Sequence, residues 1–245
     1  MGAPTAYSRL MSRGLLEVAV LHARDVPGCE QGGADRLSLS LEGEGDGLSP
    51  DLALAASVIR ATELPVRVML RLNESLTTTG GEFMRLVGLA EEYVSLGAEG
   101  VELGFLDADL EVDTETCVAL AKSLPGVPWT FHRAIDSTLE PSRAWHQVVR
   151  LPGLTAVRSG GSPQGLAHGY DDLLALAERD PDVARLVMPA GGLLPEHVPW
   201  LLRAGVRQLH VDLQVRPGAT WRSYVDADFV RSWRLMLDDA ADRSA

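Results

Sequence analysis

The segment WTFHRAID (129–136) ends an apolar run in the adjacent pair His132 and Arg133, with Asp136 three residues further on. Successive side chains of an extended strand alternate faces, so Thr130 and His132 share one face while Trp129, Phe131 and Arg133 share the other. A second run, RQLHV (207–211) followed by Asp212, puts Gln208, His210 and Asp212 together, opposite Leu209 and Val211. In LLEVAVL (15–21) Glu17 stands between Leu16 and Val18, where a carboxylate facing a core is costly without a cationic partner. Arg71 and Arg67 are the expected partners. Imidazoles beside carboxylates can carry protons near neutral pH or ligate a divalent metal. The expected catalytic set is therefore Glu17, Arg71 and His132, and the expected metal ligands are His132, His210 and Asp212.

Two glycine turns raise a different chemistry. SGG (159–161) and AGG (190–192) each follow an apolar run, and exposed backbone N–H groups in such turns can cradle an anion. Arg158, Ser159, Gly160, Gly161, Gly191 and Gly192 form the expected ligand-binding set; the plainer reading is that glycine simply permits a tight turn. HExxH, GxSxG and Walker patterns are absent, which removes the commonest zinc hydrolase, serine hydrolase and nucleotide-binding signatures. No nucleotide cofactor is expected. EGEGDG (42–47) opens like a calcium loop, but its twelfth position is Ala53, not a bidentate glutamate. Asp113 reads as a helix cap and Asp109 as a turn residue.

The elements that would position these residues follow from periodicity. LLEVAVL (15–21), RLSLSL (36–41), VRVMLR (66–71), EGVELG (99–104), PWTFH (128–132), LTAVR (154–158), RLVMP (185–189) and RQLHV (207–211) read as strands. Between them, segments such as EFMRLVGLAEEYVSLG and PSRAWHQVVRL space apolar residues three and four apart, and a last helix is expected near Asp226 to Ala241. GGADR, LGAEG and AGVRQ each set glycine between a helix and the next strand. Eight strand-then-helix units predict an α/β fold, a single-domain (β/α)8 TIM barrel over 15–245, after an N-terminal tail over 1–14. An open doubly wound sheet would more often lead with a GxGxxG turn, and none occurs. In such a barrel the chemistry belongs at the C-terminal ends of the strands, where Arg71, Asp107, His132, Arg158, His210 and Asp212 fall.

Composition narrows the partners. The chain has 245 residues, 46% hydrophobic and 23% charged, with a net charge of −12. That field repels polyanions, so nucleic acid and anionic membrane surfaces are not expected partners. No run approaches the roughly 18 to 20 apolar residues of a membrane span, and the first residues lack the apolar stretch of a secretory signal. A cytoplasmic location is expected. The cysteines, Cys29 and Cys117, form no CxxC pair and read as buried free thiols on helices.

The order LLEVAV, GGADRLSLS, DGLSP, the arginine of VMLR, GFLDADLEVD, TFHRAID, RSGG, MPAGG and AGVRQLHV resembles the CutC copper-homeostasis family. TFHRAID and LDADLEVD are its specific parts. The resemblance implies a cytoplasmic barrel protein, a homodimer, with a role in copper homeostasis and with copper, another divalent metal or a small polar molecule as its ligand. Ala19, Val20 and Ser40 stand where the family carries cysteine. The remaining imidazole and carboxylate donors suit Cu(II), Zn(II) or Ni(II) better than Cu(I). The residues alone also allow an enzyme, a lyase, isomerase or hydrolase acting on a small anionic metabolite. In that reading Glu17 or His132 is the base, and Arg71 and Arg158 hold the anion.

Overall fold

A computed structural model describes residues 13–41 and 47–243; the first 12 residues of the expected tail and all but the last residue of EGEGDG lie outside them. Strands β1 (Leu15–Val20), β2 (Arg36–Leu39), β3 (Val66–Met69) and β4 (Gly100–Leu103) alternate with helices α1 (Val26–Gly32), α2 (Leu52–Ile59) and α3 (Gly80–Ser95). The second half continues with α4 (Thr114–Ser123), β5 (Trp129–Phe131), α5 (Pro141–Val148), β6 (Leu154–Ser159) and α6 (Leu166–Arg179). A short α7 (Pro181–Leu186), β7 (Val187–Pro189), α8 (Val198–Arg203), β8 (Gln208–Val211) and α9 (Ala227–Asp242) complete it. All eight strands are parallel, ordered β7-β6-β5-β4-β3-β2-β1-β8. The seam between β7 and β8 is spanned by the Gln208 side chain, whose Nε2 donates to Thr155 O at 3.0 Å and Arg185 O at 3.3 Å.

The expected barrel is thus present with all eight strands. Boundaries move by one or two residues: RLSLSL ends as strand at Leu39 and VRVMLR at Met69, and RLVMP begins as strand only at Val187, because α7, capped by Asp180 accepting from Asp182 N and Val183 N, runs through Leu186. Other helices start where the sequence supplies caps. Thr79 and Glu82 form a capping box on α3, and Asp113 accepts from Thr116 N at 2.9 Å on α4, as expected.

Alternation sorts the strands into two surfaces. Leu16, Val18, Val20, Leu37, Leu39 and Val68 join the apolar core between the sheet and the helices. The opposite parity faces the lumen and is largely polar, with Glu17, Arg36, Arg67, Glu102, Arg158 and His210 all buried. Beyond β8 the chain is anchored back onto the mouth. Arg216, fully buried, donates to both carboxylate oxygens of Asp25 at 3.0 Å and to Ala19 O, and Asp25 also accepts from Leu21 N and Val225 N.

The turn after β6 is fixed by close backbone approach. A Cβ on Gly169 of α6 would come within 2.3 Å of Gly160 O and of the Gly161 carbonyl carbon, so the helix can lie against the turn only with glycine there. Gly169→Ala is expected to cost about 1–3 kcal/mol, the range for overpacking. Gly88→Ala, on α3 with nothing within 4 Å of its Cβ, should instead stabilise by about 0.5–1 kcal/mol. Urea unfolding of the two variants measures this, and equal signs would contradict it.

Candidate functional site

Glu17, wholly buried inside the barrel, organises the mouth. Its Oε2 accepts from Arg36 Nε at 2.5 Å, its Oε1 lies 2.8 Å from His210 Nδ1, and Arg158 Nε approaches Oε1 at 3.9 Å. Burial pushes the Glu17 carboxyl up, but Arg36, the His210 hydrogen bond and Arg158 outweigh it and hold it well below the ordinary carboxylate range. The partner is therefore Arg36 rather than the expected Arg71 or Arg67. Parallel pairing sets Glu17 beside Arg36, whereas Arg71, past the end of β3, donates to Glu74 O and its backbone N–H to Ser49 Oγ. Arg67 is engaged with Glu99 at 3.0 Å and Thr130 Oγ1 at 2.7 Å. Burial and the like charge of Arg36 lower the Arg67 pKa.

A second lumen carboxylate, Glu102, escaped the sequence reading. Arg158 Nη2 donates to its Oε2 and to Ser38 Oγ at 3.0 Å, so one guanidinium bridges Glu17 and Glu102 across the barrel. The signal was present: Glu102 stands between Val101 and Leu103 as Glu17 stands between Leu16 and Val18.

His132, buried, follows β5 directly, and its Cε1 lies 3.2 Å from where a Cβ on Gly104 would sit, next to the Phe131 ring. Its Nδ1 accepts from Ala134 N at 3.1 Å. A neutral imidazole with one nitrogen accepting carries its proton on the other, so His132 holds its proton on Nε2. His210 has the reverse polarity: with Glu17 ionised, Nδ1–H donates to it, and in the neutral ring Nε2 then carries the lone pair. Asp212 turns to its own backbone, accepting from Leu213 N at 2.5 Å. Among the described residues no group of three or more His, Cys, Asp or Glu is placed to hold a metal ion, so His132, His210 and Asp212 are not brought into one ligand set.

The glycine turns likewise serve the protein. Gly160 N–H donates to Asp136 Oδ2 at 2.8 Å and Gly161 N–H to Ser159 Oγ at 2.9 Å, while Ser159 Oγ donates to Asp136 Oδ1 at 2.6 Å. These two N–H groups are spent on the turn itself. Burial raises the Asp136 pKa in spite of these donors and of Arg133 Nε at 2.9 Å. Gly191 and Gly192 both have positive φ, and the Arg133 guanidinium packs where a Gly191 Cβ would stand. Asp107 is tied into its own turn, accepting from Asp109 N and Glu111 N at 2.9 Å. Cys29 and Cys117 are buried free thiols. Burial pushes the Cys29 thiol up and the Cys117 thiol up to about 12, so neither offers a thiolate.

Eight parallel strands alternating with helices around an ion-paired lumen define a (β/α)8 barrel. Residues 14–215 match the model of the CutC family, and the chain belongs to that family. A family protein CutC from Klebsiella pneumoniae (strain 342) is 27% identical over 93% of this chain and 95% of its own. One from Xylella fastidiosa is 32% identical over 80% of this chain and 73% of its own. The human protein named copper homeostasis protein cutC homolog is 28% identical over 80% and 72%. Among solved structures, a copper homeostasis protein CutC from Streptococcus agalactiae matches with a TM-score of 0.69 at 21% identity, over 80% of this chain and 97% of that one. Phosphoribosyl anthranilate isomerase from Thermus thermophilus matches at 0.61 and 18%, over 92% and 98%. At these identities the two structures share the fold.

Removing the Glu17 charge leaves Arg36 buried without its partner. Glu17→Gln is expected to cost about 3–5 kcal/mol in denaturant unfolding at neutral pH. A carboxylate whose folded pKa is depressed adds stability that is complete above its unfolded value, about 4.3. That stability is lost as pH falls through the folded value. The stability gap between wild type and Glu17→Gln should therefore narrow as pH drops below about 4.3, and a gap constant with pH would contradict the pairing.

Proposed function

We propose that this protein takes part in copper homeostasis, as the human relative's name states, by holding a small polar, anion-bearing molecule at the barrel mouth. The observation that carries the reading is how few lone pairs the imidazoles offer a metal, the His210 ring having only Nε2 to give once Nδ1 is tied to Glu17. His132 Nδ1 accepts from Ala134 and His210 Nδ1 is tied to Glu17, so His132 could bind a cation through Nε2 only by moving its proton to Nδ1, against the Ala134 N–H. The donor set does not fit a copper centre. Guanidiniums, in contrast, converge on the lumen from β2, β3 and β6, with Arg71 at the rim. We read the protein further as a cytoplasmic homodimer. Free buried thiols support the location, and exposed Trp200 on α8 and Leu235 on α9 give a dimer apolar surface.

Calorimetric titrations with Cu(II) and Zn(II) should show no stoichiometric binding, while inorganic phosphate should raise the melting temperature of the wild type and less so that of Arg158→Met. Stoichiometric Cu(II) binding that His132→Ala abolishes would overturn the reading. Deleting the gene should change copper tolerance, with wild type restoring it and His210→Gln failing to. Sedimentation velocity checks the dimer.

A further inference from the structure

We infer that a cleft in the outer helix layer, between α5 and α6, binds a small linear zwitterion, with its ammonium at Asp172, its carboxylate at Arg179 and an apolar chain between them. The site is separate from the barrel mouth and does not rest on the function proposed there.

The cleft has a volume of about 300 Å³, at the small end of the range that encloses small molecules. Helix α5 gives it Ser142 and Trp145, and α6 gives it Asp172, Ala175, Leu176 and Arg179. Positions three, four and seven apart lie on one face of a helix. The four α6 residues have that spacing, so α6 turns toward the cleft a stripe with one charge at each end and apolar side chains in the middle.

That stripe leaves both charges without a partner along it. Ala175 and Leu176 stand three and four residues after Asp172, and the same two stand four and three before Arg179, where an ion pair on the helix would need an opposite charge. Seven residues separate Asp172 from Arg179 by about 10 Å along the axis, too far for the two to pair with each other. Among the described residues neither side chain makes an ion pair or a hydrogen bond.

The opposite wall adds an independent sign of a ligand. Trp145 lines the cleft and is 4% exposed. A buried indole ordinarily bonds its N–H, as Trp129 does by donating from Nε1 to Pro152 O at 2.9 Å. Trp145 Nε1–H finds no acceptor among the described residues, nor is it shut away from solvent as the unpartnered Tyr170 hydroxyl is. An indole nitrogen only donates, so what completes it is an acceptor in the cleft, the anionic end of the ligand.

Length and charge of the occupant follow. An α-amino acid carries both charges on one carbon and cannot reach both ends of the stripe; a linear ω-amino acid can. The net charge of −12 opposes a simple anion, whereas a zwitterion is neutral. Buried Leu173 and half-buried Leu176 take its methylene chain.

Titration of the whole chain with ε-aminocaproate, caproate and hexylamine, followed by saturation-transfer NMR, tests this. ε-Aminocaproate should bind about fivefold or more tighter than either singly charged probe, the scale of one partly exposed ion pair. Asp172→Asn should weaken ε-aminocaproate and hexylamine but not caproate. Arg179→Gln should weaken ε-aminocaproate and caproate but not hexylamine. Both positions are exposed, so both variants should fold. The indole proton resonance that Trp145→Phe removes should move as ε-aminocaproate is added to the wild type. Equal binding of the three probes, or equal weakening of all three by each variant, overturns the zwitterion. Failure of ε-aminocaproate to saturate, or a Trp145 resonance that stays fixed while it binds, overturns the site. A Trp145 resonance that moves with protein concentration and not with any probe assigns the cleft to a second copy of the chain and overturns the inference as well.

Discussion

Glu17 sits at zero exposure in the lumen of the barrel, where an ionised carboxylate is tolerable only if cations and donors replace its water. They come from three other strands: Arg36 from β2, Arg158 from β6 and His210 from β8. Each demands something in turn. Arg158 has charge and donors in excess of what Glu17 uses, and Glu102 and Ser38 take them up. Arg67, pressed toward Arg36, is balanced by Glu99 at 3.0 Å, a residue partly open to solvent at the strand's start. One buried carboxylate thereby accounts for a lumen of ion pairs in a fold whose lumen is more often filled by branched aliphatic side chains.

Such a lumen is weak evidence for stability, since a well-packed apolar set of similar volume often does as well. Its distinctive product is orientation. The His210 ring cannot turn without abandoning Glu17, and Glu17 cannot move without leaving Arg36 and Arg158. The stability of the barrel and the direction of one imidazole are consequences of the same contacts.

The barrel was legible because its signals are local. Alternation within each strand and glycine at the helix-to-strand joints need no knowledge of distant residues, and Leu16 and Val18 alone set Glu17 on the face opposite the helices, which a closed barrel buries. Its partner was not legible, because the choice among Arg36, Arg67 and Arg71 depends on the register between parallel strands, which no residue type announces. Glu102 was missed although its flanking Val101 and Leu103 carried the same mark. The SGG turn misled for a related reason. Its N–H groups look available until Asp136, 24 residues earlier than Gly160, is seen to accept one of them.

TFHRAID joins these two kinds of work in one short turn. His132 begins the turn by accepting from Ala134, and Asp136 ends it by gripping Ser159, Gly160 and Arg133. Arg133 in turn donates to Ser162 O and lies against Gly191, so the loops after β5, β6 and β7 share one set of hydrogen bonds and one close contact. The polar residues crowd there because three loop ends must be held without exposing backbone groups. The hydrogen bond from Ala134 that begins the turn is also what leaves the His132 proton on Nε2. How the loop is built thus decides which nitrogen of that imidazole carries the proton.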